Sequence, residues 1–549
     1  MCQYRQQSHH HHRNLLLLLV WLGTVIWLPA FAAEEPLPLA IELRQRLLQP
    51  PAAGDSPVRW GELNNFYAAR HFLPVWLGPE GPNARATLLR KRLLHAGEEG
   101  LEPERYQNQL IARLWTTTTP DDRLNLELLL SGAFFDYVRD NRSGSLDPQQ
   151  VSPLWRIERP AVDPVTTLRL ALLSGDFRRA LDALPPSHPA YLRLRQALAH
   201  YRHLDELGGW ELIPAGSSLQ LGMDDARVSL LRRRLEVEGD LALPSAKATL
   251  FDEPLRYAVE RFQVRHGLEV DGVVGRQTLA ALNVSAAERI GQIKLNMERW
   301  RWLPQQLGRR YLLVNIPSYQ LIAYDDGEAQ LSIPVIIGTR DRRTPVTSGR
   351  LHSVVFNPYW TVPRNIALRD LIPRQRRNPD YMPSHHIRVF ADWNGNEELD
   401  PQQIDWNAVN WNHFPYMLRQ DPGPKNPLGK AKFLFTNPYK VYLHDTPDEA
   451  LFADNTRAYS SGCIRLEEPL RLATFLLAGE GGWGWDQTMV QQVIASGLTY
   501  DIPLSTPIPV YLLYLTTWVG EDGVTHFSRD IYDEDLLLGV CMPGEEPKP

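Results

Sequence analysis

Cysteine is scarce in this chain. Only three of the 549 residues are cysteines, at positions 2, 463 and 541, too few for a disulfide framework. Net charge is small as well. The chain has 58 basic residues against 64 acidic ones, leaving −6. With no basic excess to neutralise phosphates, a general nucleic-acid binder is excluded, and bulk charge would not hold an anionic polymer. Familiar catalytic signatures are missing too: there is no Gly-x-Ser-x-Gly elbow, no His-Glu-x-x-His and no P-loop. What remains is ordinary for a globular protein, with 43% hydrophobic and 22% charged residues, and the length points to several domains.

The N-terminus reads as an export signal. Arg5 and Arg13 form the positive region, and Leu15 to Leu28 is an apolar run short for a membrane span. Ala30-Phe31-Ala32 fits the small-x-small rule, so cleavage is expected after Ala32, and an uncleaved anchor is the alternative. His9 to His12 resembles a metal tract but lies in the segment that cleavage removes.

Cys463 is the residue with the most chemical context. It stands in Tyr459-Ser460-Ser461-Gly462-Cys463-Ile464-Arg465, with His444-Asp445-Thr446 a short way upstream. A free thiol is a weak nucleophile at neutral pH, and an adjacent imidazole can take its proton. Gly462 lets the backbone bend so that nearby N–H groups face a developing oxyanion. Val441-Tyr442-Leu443 reads as a strand that puts His444 at its end. Core cysteines sit in apolar runs rather than in Ser-Ser-Gly contexts, which favours the nucleophile over a buried hydrophobe. A Cys463–Cys541 bridge is allowed by count but would abolish it.

The pattern His444, Ser460, Ser461, Gly462, Cys463, Arg465 resembles the active-site signature of the L,D-transpeptidase family. Many members carry a second histidine where this chain has Ser461, so the base remains His444. The resemblance implies peptidoglycan crosslinking without a cofactor. Cys463 attacks a tetrapeptide stem, forms a thioester and releases D-alanine, and an amine of a second stem gives a 3→3 crosslink. It implies that His444 is the base and that the Asp445 carbonyl orients it, with the Asp445 carboxylate as an alternative that would raise the imidazole pKa. The Gly462 and Cys463 N–H groups are the expected oxyanion donors. Arg465 binds a substrate carboxylate or forms an ion pair with Glu467 or Glu468. Ser461, Tyr442, Asn357 and Trp360 are expected along the substrate groove. Carbapenems are expected to acylate Cys463. Two rival functions use the same residues differently: a hydrolase (an L,D-carboxypeptidase or an enzyme detaching wall-bound protein), and an inactive wall-binding scaffold with a vestigial Cys463. Expected partners are peptidoglycan stem peptides and other cell-wall synthases, with no nucleic acid, and with a membrane only if the signal is uncleaved. The expected location is the periplasm.

The organisation expected is multidomain α+β. Leucines at helical spacing mark a helical scaffold over 36–210, similar to that of large family members. Residues 216–284 resemble a three-helix peptidoglycan-binding domain, carried by Val270-Asp271-Gly272-Val273-Val274-Gly275, where Asp271 fixes the turn. A connecting helix follows over 285–308, with Glu298-Arg299-Trp300-Arg301-Trp302 read as a solvated face with packed tryptophans. The period then changes to strands, giving a β-sandwich catalytic domain over 309–517. Within it, 364–424 loses the strand rhythm and is read as a capping insertion. Residues 510 to 532 read as a closing hairpin, assigned with the tail to 518–549. Asp392-Trp393-Asn394-Gly395-Asn396 reads as an Asn-Gly turn rather than a calcium loop.

Overall fold

The computed structural model describes residues 38–51, 56–242, 247–482 and 484–541. The leader read over 1–32 lies outside them, and among the described residues no helix is long and apolar enough to cross a membrane.

The first unit is helical and is built around helix Pro120–Ser143. Thr119 caps its start by accepting the Asp122 N–H, Pro120 occupies the first turn, and Asp121 and Asp122 complement the dipole. Apolar residues all round it are buried, as expected of a central helix. The next unit packs helices Arg227–Val237, Glu253–Arg265 and Arg276–Leu282 on one core. Asp271 Oδ1 accepts the Val273 N–H at 2.9 Å and the Gln263 side-chain amide at 2.7 Å, which ties the turn to the middle helix.

Helix Ala286–Arg301 joins these units to the β domain. Ser285 and Glu288 form a capping box at its start. Its last turn is not a solvated face. Glu298 and Arg301 are fully buried and paired at 2.9 Å. Glu298 also accepts the Leu146 N–H at 3.0 Å and the Trp302 indole at 3.2 Å. Trp302 meets Trp155 edge-on at 4.8 Å, and the Arg156 N–H reaches the Val346 carbonyl of the β domain at 2.8 Å. On the opposite flank Asn296 donates to Thr516 Oγ1 at 2.9 Å. Charge and tryptophan alternate here because three units converge on one helix end.

Among the described residues, the main sheet of the β domain has nine strands. In hydrogen-bonded order they are Ala458–Ser460, Glu328–Gly338, Ile464–Leu466, Leu443–His444, Ala431–Phe435, Thr347–Phe356, Tyr500–Leu513, Arg310–Asn315 and Gln320–Asp325. The last also pairs with Glu328–Gly338, so the sandwich closes on itself. That hairpin turns at Asp326 and Gly327, both at positive φ (50° and 86°), as a type I′ turn requires. Tyr500–Leu513 is a full sheet member, pairing with Arg310–Asn315 and Thr347–Phe356. The C-terminal hairpin therefore begins later than 510, pairing Thr517–Val519 with Thr525–Phe527, and a boundary at 517 cuts its first strand.

The insertion over 364–424 is a folded subdomain with strands of its own. Met417–Gln420 lies between Trp360–Thr361 and Ile387–Phe390, with Glu398–Leu399 outside. Its strands are short and separated by Pro- and Asn-rich turns, which hides the period. Trp360, Val362, Leu371, Met382, Val389 and Leu418 give it a separate core, against which Tyr442 packs. Asp392 Oδ1 accepts the Asn394 and Gly395 N–H groups at 2.8 and 2.9 Å, a turn held by its own side chain.

Removing one member of a buried ion pair strands the other charge. Glu298→Ala should therefore destabilise the protein by about 3–5 kcal/mol, read as a fall in thermal midpoint. Glu298→Leu combined with Arg301→Leu should recover much of that loss.

Candidate active site

Register decides which side chains meet. Leu443–His444 pairs in parallel with Ile464–Leu466, matching Leu443 to Ile464 and His444 to Arg465. Side chains alternate along strands, so Tyr442, His444, Cys463 and Arg465 project from one face. Ala431–Phe435 pairs on the other flank, with Lys432 opposite His444 on that same face.

His444 is buried at 5% exposure. Its Nδ1–H donates to the Asp445 carbonyl at 2.6 Å, leaving Nε2 as the ring's basic nitrogen. Burial, with the Arg465 guanidinium second, lowers its pKa to about 3, so the ring is neutral at physiological pH. The Asp445 carboxylate does not raise it. That carboxylate accepts the Lys430 and Thr446 N–H groups, each at 2.7 Å. Gly429, at φ +55°, makes room for it, and an added Cβ there would overlap the carboxylate.

Cys463 is half-buried and, like Cys541, is a free thiol. Burial pushes its pKa up, opposed by the backbone and hydroxyl of Tyr442 and by Lys432 and Arg465. The Tyr442 hydroxyl in turn interacts with the Trp360 side chain as well as with the thiol. Trp360 and Tyr442 thus link the insertion to the sulfur. The described site thus holds a neutral imidazole and a thiol raised above its ordinary pKa on one sheet face.

The turn before Cys463 is fixed from both sides. Gly462 has φ +112°. Its carbonyl accepts the Thr344 hydroxyl at 3.0 Å. Its N–H donates to Ser460 Oγ at 3.1 Å, and Ser460 donates to the Cys463 carbonyl at 2.5 Å. The Gly462 N–H is therefore engaged in the turn and is not a free oxyanion donor.

Arg465 pairs with Asp448 at 3.0 Å, not with Glu467 or Glu468, and its Nε is buried without a partner. Ser461 is exposed and accepts from Arg342 at 2.8 Å. Arg342 also grips Asp370 of the insertion with two bonds of 2.7 and 2.9 Å. Ser461 is thus a latch point between catalytic turn and insertion. Asn357 is not free to bind a substrate through its amide nitrogen, which donates to the Ile494 and Leu498 carbonyls at 3.1 and 3.0 Å. Its role is to hold the end of helix Gln487–Ala495.

Lys432 is the residue that sequence reading missed. Its Nζ lies 4.0 Å from the Tyr442 ring centroid, and desolvation lowers its pKa while Cys463 raises it. The available signal was a lone lysine in the apolar strand Ala431–Phe435.

Among known proteins, residues 309–494 match the model of the L,D-transpeptidase catalytic domain. The chain carries an L,D-transpeptidase domain. Residues 61–198 match a scaffold domain and 224–282 a "Putative peptidoglycan binding domain". A Haemophilus influenzae protein named "Putative L,D-transpeptidase" is 38% identical over 271 residues, which are 48% of this chain and 53% of that protein. The chain thus spans about half the length of this curated relative. Solved L,D-transpeptidases with similar features come from Xylanimonas cellulosilytica (17% identity, 55% of this chain, 99% of that one, TM-score 0.17) and Stackebrandtia nassauensis (11%, 55%, 96%, TM-score 0.22). Overall superposition is poor in both.

The electrostatics of the L,D-transpeptidase domain set a reactivity profile. Alkylation of Cys463 by iodoacetamide should be slow at neutral pH and rise only in the alkaline range, because burial holds the thiol above its ordinary value. Lys432→Met removes a stabilising cation and should move the profile to higher pH. Full reactivity at acid pH would mean a thiolate–imidazolium pair instead.

Proposed function

We propose that the protein is a peptidoglycan L,D-transpeptidase that forms 3→3 crosslinks in the periplasm. The observation that carries this reading is Cys463 on a rigid turn, on the same sheet face as a neutral His444 whose Nδ1 is fixed by the Asp445 carbonyl. As Cys463 Sγ attacks the carbonyl before the terminal D-alanine, His444 takes the thiol proton. The oxyanion is met by the Cys463 N–H. The C–N bond breaks, His444 returns the proton to the departing amine, and a thioester remains. An amine of a second stem then attacks the thioester, His444 removes its proton, and the thiol is regenerated with the new amide bond. No cofactor enters.

The insertion serves the choice of acceptor. It packs Trp360 against Tyr442 beside the sulfur and is latched through Asp370, Arg342 and Ser461. Water exclusion over the thioester favours an amine over hydrolysis. The hydrolase alternative is the same chemistry with that exclusion relaxed.

The test is mass spectrometry of products after incubation with purified disaccharide tetrapeptides. Wild type should yield crosslinked dimer and free D-alanine. Cys463→Ala should yield neither while remaining folded, and His444→Ala should lose about 10²–10⁴-fold in rate. Equal turnover by Cys463→Ala would sink the mechanism. A carbapenem should leave one adduct per chain, on Cys463. Asp370→Ala should raise the ratio of hydrolysed tripeptide to dimer, and an unchanged ratio would remove the insertion from acceptor choice.

A further inference from the structure

The turn that presents Cys463 rests against a loop. Residues 339–343 leave the end of strand Glu328–Gly338 and return at Thr344. The loop holds the turn on either side of Ser461. The Thr339 N–H donates to the Ser460 carbonyl at 3.0 Å. The Thr344 hydroxyl donates to the Gly462 carbonyl, also at 3.0 Å.

The direction of each hydroxyl is fixed by its second partner. Thr344 Oγ1 accepts the Gly338 N–H at 2.9 Å, which leaves its proton for the Gly462 carbonyl. The Tyr532 hydroxyl closes the base of the loop in the same way. It accepts the Thr344 N–H at 3.3 Å and donates to the Gly338 carbonyl at 2.5 Å. Thr344 and Tyr532 are 0% and 1% exposed, so neither hydroxyl is shared with solvent. Only glycine allows the approach at 338, where an added Cβ would overlap the Arg342 carbonyl oxygen.

Tyr532 lies beyond the residues 309–494 that match the catalytic-domain model. It stands just ahead of helix Glu534–Cys541. Its N–H donates to the Tyr514 hydroxyl at 2.9 Å, and its ring stacks on Tyr514 at 5.8 Å. The Asp530 carboxylate accepts that Tyr514 hydroxyl at 2.6 Å and the N–H groups of Glu534 and Asp535, each at 2.8 Å. The C-terminal segment is therefore a fixed post behind the loop.

What this assembly controls is one peptide plane. A trans peptide is planar, with its C=O and N–H on opposite edges. Thr344 draws the Gly462 carbonyl toward the buried loop, so the Cys463 N–H is turned the other way. We propose that Thr344 and Tyr532 are positioning residues for acyl transfer. They aim the Cys463 N–H at the oxyanion that forms when the Cys463 sulfur adds to a carbonyl and its π electrons move to oxygen. Both act through the Gly462–Cys463 peptide. The assignment rests on the function proposed above, in which that N–H meets the oxyanion.

The test compares two reactions of the Cys463 thiol in the full chain, with Cys541→Ser to silence the exposed second thiol. Iodoacetamide alkylates sulfur by displacement and forms no oxyanion. p-Nitrophenyl acetate acylates it through a tetrahedral oxyanion, read as a burst of p-nitrophenolate. Thr344→Val should slow the burst about 10²-fold and Tyr532→Phe about tenfold. Alkylation rates and their pH profile should stay at wild-type values in both, and Thr344→Ser should restore the burst. Should Thr344→Val fail to fold, Tyr532→Phe carries the test alone. Unchanged acylation in the folded variants, or alkylation that falls in step with acylation, would overturn the assignment. A tetrapeptide donor is run alongside. Wild type that gives the acetate burst but no peptide acyl-enzyme rejects the function proposed above, whereas the positioning role stands or falls on the burst alone.

Discussion

The parallel pairing of Leu443–His444 with Ile464–Leu466 is the constraint on which the site depends. A slip of one residue would turn Cys463 and His444 to opposite faces. The pairing is only two residues long, so its register is set by neighbours. Lys432 is matched to His444 from one side and Ile336 to Arg465 from the other. Closure of the sandwich through Gln320–Asp325 and Glu328–Gly338 fixes those neighbours in turn. Two short strands can thus carry chemistry because a closed sheet holds them.

Burial sets the chemistry within that frame. The same desolvation that keeps His444 neutral raises the Cys463 thiol. Both groups rest uncharged, which suits the proposed role of Cys463 as a nucleophile freed of its proton only on attack. Lys432 and Arg465 temper the thiol from either flank. The insertion completes the enclosure through Trp360 and Tyr442. Its Arg342–Asp370 contact is partly exposed, in the range where an ion pair is worth about 0–1 kcal/mol. Helix Ala286–Arg301 supplies the larger geometry, since its buried Glu298–Arg301 pair and Trp302 hold the scaffold to the β domain.

Much of this was legible in the sequence. Glycine and serine before Cys463 read as a turn, and the structure has one there; His444 reads as a strand end and lies at one; the change from helical to strand period marks where the β domain begins. What stayed hidden depends on partners far away in the chain. Glu298 to Trp302 reads as a surface because nothing local shows that Leu146 and Trp155 will cover it. Asn357 reads as a groove residue until Ile494 and Leu498 claim its amide. The Gly462 N–H reads as an oxyanion donor until Ser460 Oγ captures it. The strands of the insertion are too short and too interrupted to leave a period. Lys432 gains meaning only from a register that no spacing reveals.

The central claim is that an acyl group passes through the Cys463 sulfur with His444 as the proton carrier. The most direct measurement is intact-protein and peptide mass spectrometry after rapid acid quench of the enzyme with a tetrapeptide donor and no acceptor amine. The account predicts a hydroxylamine-labile acyl group on the peptide that contains Cys463, formed far more slowly in His444→Ala. An acyl group on a serine, or donor turnover with no acylated enzyme at any quench time, would contradict it.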